Sequence, residues 1–142
     1  MTRDVTVVLP ELSLKTAWAI MRREHIRHLP VVRGGVLLGI LSDRDVLLHA
    51  TPGEGYEPEV PDKLVGEAMT PAPMICEPST PVTELVKTMI ERKIDAVPVM
   101  SAGDKLVGLV TTTDLLALLL TSDEARPLPF AFRVREAREG EA

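Results

Sequence analysis

Two short stretches carry residue types that could recognise a ligand. Ser42-Asp43-Arg44-Asp45 and Thr111-Thr112-Thr113-Asp114 each place a hydroxyl three residues before a carboxylate. Each follows a glycine and two aliphatic residues, Gly39-Ile40-Leu41 and Gly108-Leu109-Val110. An aliphatic run ending in Ser or Thr marks a strand meeting a helix. The free backbone N–H groups of a helix start form an anion site. A hydroxyl there can donate to a phosphate or ribose oxygen. The Asp one turn later can accept from two ribose hydroxyls, and such charge-assisted bonds are the stronger kind. The same residues also suit a capping box, in which hydroxyl and carboxylate satisfy the helix's own N–H groups. One residue can serve both roles, so mutants must separate them. Asp45→Ala and Asp114→Ala are expected to abolish ligand stabilisation and to leave ligand-free stability almost unchanged. Capping alone costs ~0.5–2 kcal/mol without ligand.

These two stretches belong to a longer internal repeat. Met1-Thr2 returns as Met69-Thr70, Pro10 as Pro78, Met21 as Met89, Ile26 as Ile94 and Pro30-Val31 as Pro98-Val99, all at an offset of 68 residues. A fixed offset over that length marks a repeated structural unit. The offset then slips by one, since Gly39 matches Gly108 and Asp45 matches Asp114. The slip falls between Arg33-Gly34-Gly35 and Ser101-Ala102-Gly103-Asp104, glycine-containing turns where an extra residue costs little.

Periodicity supplies the elements that position the two stretches. Leu14, Ala17, Trp18 and Met21 lie at helical spacing, as do Val82, Leu85, Val86 and Met89. Leu29 to Val32 pairs with Val36 to Leu41 as a hairpin, and Val97 to Met100 with Lys105 to Val110. Asp43 to Ala50 and Thr112 to Leu120 close the halves as helices. Val5 to Leu9 and Met74 to Cys76 are the opening strands. The expected fold is α/β (α+β), two β-α-β-β-α repeats packed as a pseudo-twofold pair. Residues 1–50 form the first repeat, 51–62 a Pro-, Gly- and Glu-containing linker, 63–121 the second repeat and 122–142 a tail, disordered or docked on a partner. Lys63 to Ala68 reads as a short helix. Neither half, at roughly 60 residues, buries its apolar face well alone.

The 142 residues have a formal net charge of −5 and 3% aromatic content. The charge disfavours a general nucleic-acid coat, which needs a basic face. The core must be aliphatic. One cysteine, Cys76, leaves no internal disulfide and reads as a small buried hydrophobe. No stretch approaches the ~18 apolar residues of a membrane span. The first residues lack a secretory apolar run, which points to the cytoplasm.

Two ordered copies of helix, Leu/Val-Pro-Val strand, turn and Gly-aliphatic-aliphatic-Ser/Thr-x-x-Asp resemble the CBS domain family in its paired form, the Bateman module. The resemblance covers residues 1 to 121. It implies clefts that hold AMP, ADP, ATP or S-adenosylmethionine as regulatory ligands, with no required cofactor, and a homodimer or a separate effector protein as partner. It also implies that the residues around Pro30 and Ala96-Val97-Pro98 wall the adenine. Ser42 and Asp45, with Thr111, Thr113 and Asp114, would hold ribose and phosphate.

The repeats differ where that family binds ligand. Arg27-His28-Leu29-Pro30 resembles the basic pair of γ subunits in the AMP-activated kinase family, and Arg44 adds a cation. Cations near a helix C-terminus also complement its dipole, which is the structural alternative for Arg22, Arg23, Arg27 and His28. The second half has Asp95-Ala96 at the matching place, and Asp95 facing the cleft would repel phosphate. Thr80 stands where the family has a ligand-contacting threonine, whereas the first half has Leu12. At most one strong ligand per chain is expected. An enzyme is disfavoured, because neither an activated nucleophile, a metal motif nor a phosphate-cradling glycine loop is present. A ligand-free dimerisation scaffold is the alternative, with Thr112 to Leu120 supplying apolar surface.

Overall fold

The computed structural model describes residues 4–71, 74–121, 127, 129–137 and 140. Helix α1 (Leu14–Glu24) starts at Ser13, whose side chain accepts the Thr16 N–H at 3.1 Å. It buries Leu14, Ala17 and Met21, one stripe at helical spacing. Strands β1 (His28–Arg33) and β2 (Val36–Ser42) form an antiparallel hairpin, and α2 (Asp43–His49) follows directly. The second half repeats this as α4 (Val82–Arg92), β6 (Ala96–Ser101), β7 (Lys105–Thr111) and α5 (Thr112–Leu119). Both hairpins carry a bulge at the equivalent place, after Val31 and after Val99. The one-residue slip in the repeat is the turn. Gly34 and Gly35 close the first hairpin at positive φ, while Ala102, Gly103 and Asp104 close the second.

The two opening strands are shorter than the sequence predicts. Each shrinks to one parallel bridge, Val8 to Val31 and Cys76 to Val99. Val8 N–H donates to the Pro30 carbonyl, and the Val8 carbonyl accepts from Val32 N–H; Cys76 does the same with Pro98 and Met100. Extending either ladder one way needs an N–H from Pro30 or Pro98. Extending it the other way needs one from Pro10 or Pro78. Proline has none, so the ladder stops at both ends.

The stretch read as a linker is built into the first half. β3 (Thr51–Pro52) pairs with β4 (Pro58–Glu59). Val60 is buried in the first core beside Leu14, Leu29 and Val46. Helix α3 (Val65–Ala68) confirms the short helix, but it packs on the first half, adding Val65 and Ala68 to that core. Leu14 N–H donates to Lys63 O at 2.7 Å, and Val65 N–H to Leu12 O at 2.8 Å. Strand β5 (Thr70–Pro71) then pairs with β2. The packing therefore crosses the boundary drawn between residues 62 and 63, because the apolar side chains after it fill the α1–α2 surface. The second core, with Leu85, Met89, Val97, Val99 and Val110, is smaller. Residues 122–126 of the tail lie outside the described residues. No helix is long and apolar enough to cross a membrane among those described.

Candidate functional site: two crossed clefts

Both predicted capping turns form capping boxes. Ser42 N–H donates to Asp45 Oδ2 at 2.8 Å and Asp45 N–H to Ser42 Oγ at 3.1 Å. Thr111 N–H donates to Asp114 Oδ2 at 2.8 Å, and Asp114 N–H to Thr111 Oγ1 at 3.3 Å. The Thr111 hydroxyl also donates to Asp114 Oδ2 at 3.1 Å. Capping is thus one role of these residues, which corrects the expectation that Asp45→Ala leaves ligand-free stability almost unchanged.

The start of α2 is not an open anion site either. Asp43 N–H donates to Arg27 O at 2.9 Å, and Arg44 N–H to Asp43 Oδ1 at 2.8 Å. With Asp45 N–H held by Ser42, the first turn satisfies its own donors. Cations for a phosphate must come from side chains. The Asp45 carboxylate keeps acceptor capacity beyond its one bond to Ser42.

Each cleft is made by both halves. The capping turn of one half faces the helix end and strand start of the other. The Asp45 cleft, about 610 Å³, joins Ile40 and Ser42 to Asp45 with Met74 and with Arg92 to Ala96. The Asp114 cleft, about 400 Å³, joins Leu109 and Thr111 to Asp114 with Thr6 and with Glu24 to His28. These linings map onto each other through the repeat. The sequence reading grouped Arg27 and His28 with Ser42 and Asp45 alone; the structure places them between the clefts, lining both. Arg27 Nε lies 3.5 Å from Asp43 Oδ2.

The clefts differ in charge. The Asp45 cleft has Arg27, Arg44, Arg92 and Lys93 against Asp43, Asp45 and Asp95. The Asp114 cleft has Arg27, His25 and His28 against Asp4, Glu24 and Asp114. Asp95 lines the cleft that contains four cations. Burial pushes the His28 imidazole below its ordinary value of 6.5. Asp43 pulls it up, and Arg27 adds to the lowering.

Sequence reasoning missed Arg92 and Lys93. Their signal was the repeat itself, since Lys93 matches His25 at the same offset. Both residues end their helices in the left-handed conformation, each at φ 55°. Glycine is the usual residue there, so a side chain at that place carries a conformational cost.

A model of the CBS domain family matches residues 1–51 and 65–121. The chain belongs to the CBS domain family. Its two matched segments make it a tandem CBS pair. It is 29% identical over 125 residues to the CBS domain-containing protein YhcV of Bacillus subtilis, covering 88% of this chain and 86% of that one. It is 36% identical over 136 residues to inosine-5′-monophosphate dehydrogenase of Korarchaeum cryptofilum, but spans only 25% of that enzyme's length. The solved structure of CBSX2 in complex with AMP, a protein of Arabidopsis thaliana, superposes with a TM-score of 0.71 at 27% identity, covering 85% of this chain and 93% of that one. The CBS pair of protein MJ0100 in complex with 5′-methylthioadenosine and S-adenosylmethionine gives 0.71 at 25% identity, covering 85% and 92%.

Within this CBS pair, the other sequence candidates divide. Ser42, Arg44, Asp45 and Ala96 line the Asp45 cleft; Thr111, Thr113 and Asp114 line the other. Pro30, Val97 and Pro98 are fully buried and line neither; Val97 belongs to the second core. The Pro30 and Pro98 carbonyls are engaged by Val8 and Cys76. Thr80 also lines neither; its hydroxyl accepts Glu77 N–H at 3.0 Å in the turn before α4. Cys76 packs against the second core, and burial raises its thiol pKa. No group of three or more potential metal ligands occurs among the described residues.

Proposed function

We propose that this CBS pair is a regulatory module that binds an adenosine phosphate, AMP, ADP or ATP, in the Asp45 cleft. The observation that carries this reading is the grouping of Arg27, Arg44, Arg92 and Lys93 around the Asp45 carboxylate in one open space of about 610 Å³. Asp45 accepts from the ribose hydroxyls while it holds the α2 cap. Ile40, Met74, Ile94 and Ala96 give the adenine its apolar wall, and the four cations take the phosphates. The Asp114 cleft, with more carboxylates than permanent cations, is the weaker phosphate site. This supports one strong nucleotide per chain. The relatives solved with AMP and with S-adenosylmethionine support the adenosyl class. The phosphate-directed cations favour nucleotides over S-adenosylmethionine. Binding acts by favouring one arrangement of the pair or of its dimer, through the difference in affinity between the states.

A thermal-shift titration with AMP, ADP, ATP, adenosine and S-adenosylmethionine tests the reading. A nucleotide at ~100 times its dissociation constant adds ~2.7 kcal/mol of stability. Adenosine and S-adenosylmethionine should give less. Equal shifts from adenosine and the nucleotides would remove the phosphate contacts from the proposal. No shift with any of these would remove the sensor reading and favour the ligand-free scaffold.

A further inference from the structure

Arg27 and His28 are the described residues that line both clefts. At the repeat offset their counterparts are Asp95 and Ala96, which line the Asp45 cleft and not the Asp114 cleft. The repeat would give each half such a bridge, but only the first half has a cation there. Burial lowers the His28 pKa below 6.5, so its ring is mostly uncharged at neutral pH. Arg27 is therefore the permanent positive charge that the clefts share.

The clefts depend on it unequally. In the Asp45 cleft Arg27 stands with Arg44, Arg92 and Lys93. In the Asp114 cleft it is the only permanent cation among the described lining residues, against Asp4, Glu24 and Asp114. Its main chain is fixed on both sides. Arg27 O accepts Asp43 N–H at 2.9 Å, and Ile26 N–H donates to Met21 O at 3.0 Å. Its side chain is 64% exposed, and Nε lies 3.5 Å from Asp43 Oδ2, a carboxylate of the Asp45 cleft. The guanidinium can turn, but it carries one charge. A phosphate that holds it in one cleft leaves the other with less positive potential.

We propose that the two clefts are antagonistic toward phosphate-bearing ligands because they draw on the same cation, Arg27. A nucleotide in the Asp45 cleft holds the guanidinium there, and the Asp114 cleft, left with its carboxylates, binds a second nucleotide more weakly than it would alone. The inference rests on the nucleotide reading of the Asp45 cleft. It adds that the weakness of the Asp114 cleft is partly imposed by occupancy of its neighbour. The effect is reciprocal, so a nucleotide in the Asp114 cleft weakens the Asp45 cleft by the same factor.

Methyl NMR during AMP titration reads the clefts separately, since Met74 lines only the Asp45 cleft of the two and Leu109 only the Asp114 cleft. The full chain is compared with R44Q/R92Q, which removes two exposed cations from the first cleft and none from the second. The double substitution should raise the Met74 midpoint. It should lower the Leu109 midpoint by about fivefold or more, as coupled sites do. The field of two lost positive charges would by itself raise the Leu109 midpoint, so a fall reports the release of Arg27. In an R27Q background the same double substitution should no longer lower it. A Leu109 midpoint that R44Q/R92Q leaves unchanged or raises, or a methyl that responds in neither protein, would overturn the antagonism alone. A fall that persists with R27Q would assign the effect to repulsion between the two phosphates and overturn the role of Arg27. A Met74 methyl that ignores AMP in the full chain, or a Met74 midpoint indifferent to R44Q/R92Q, would overturn the nucleotide reading and the antagonism with it.

Discussion

At Asp45 a single carboxylate oxygen closes the helix cap while the group also faces the cleft, so two substitutions separate stability from binding. Asp45→Ala removes the acceptor for Ser42 N–H at 2.8 Å. It should cost ~0.5–2 kcal/mol in urea denaturation without nucleotide. Asp45→Asn keeps a carbonyl oxygen for that bond but loses the charge. It should leave ligand-free stability within about 0.5 kcal/mol, as mild substitutions do, yet abolish most of the nucleotide-induced thermal shift. An Asn variant with full nucleotide response would show that Asp45 only caps. His28 supplies a pH test. Its folded pKa is depressed below 6.5, chiefly by burial. The unfolded chain therefore binds the proton more readily. The His28 contribution is fully present above the unfolded pKa and is lost as pH falls from there through the lowered folded value. Proton NMR should place the His28 midpoint below 6.5, and His28→Gln should reduce the acid sensitivity of the melting temperature. Addition of nucleotide should move the midpoint upward if phosphate lies beside the ring. An unmoved midpoint would place the phosphate elsewhere. These roles were only partly legible in the sequence. Hydroxyl and carboxylate spacing identified the turns, but not that the first N–H of α2 is taken by Arg27 O. That bond joins residues brought together by the β1–β2 hairpin.

At the scale of elements, the helices and hairpins were readable because their signals are local. The 3.6-residue stripe, the glycine turns and the capping hydroxyls each lie within a few residues. The extents of the opening strands were not, although the cause is also in the sequence. Pro10, Pro30, Pro78 and Pro98 remove the N–H groups at both ends of two ladders, and this appears only once the parallel register is known. The packing of the linker was not legible for a related reason. Thr51 to Pro61 has turn composition, yet Val60 and Val65 find a non-local surface on α1 and α2. Gly39 shows how tightly this returning chain is held. A Cβ at Gly39 would lie 2.4 Å from the Thr70 carbonyl oxygen, in the backbone of β5. Neither partner can yield by rotating a side chain. Gly39→Ala should therefore displace β5 from β2 and cost ~1–3 kcal/mol in chemical denaturation, the range for overpacking. A variant as stable as the parent would mean that the β2–β5 pairing contributes little.

For the whole molecule, the repeat makes one comparison decisive, because equivalent residues occupy unequal surroundings. Leu14 lies under the segment that returns through Val60 and α3, whereas Val82 lines an open groove. The repeat alone assigns the two positions the same role; it does not say which half receives a covering segment. Leu14→Ala should leave a cavity and cost ~2–5 kcal/mol. Val82→Ala should change the stability of the isolated chain by no more than about 0.5 kcal/mol, since little packing is lost at the surface. Urea denaturation at several protein concentrations reads both effects and links them to assembly. If a second chain covers the groove, the Val82→Ala cost grows with concentration, because partner binding stabilises the fold by mass action. The Leu14→Ala cost stays the same at every concentration, because its cover belongs to the same chain. Equal, concentration-independent costs at the two positions would mean that the second half is packed as well as the first within a single chain, and the open groove would lose its meaning.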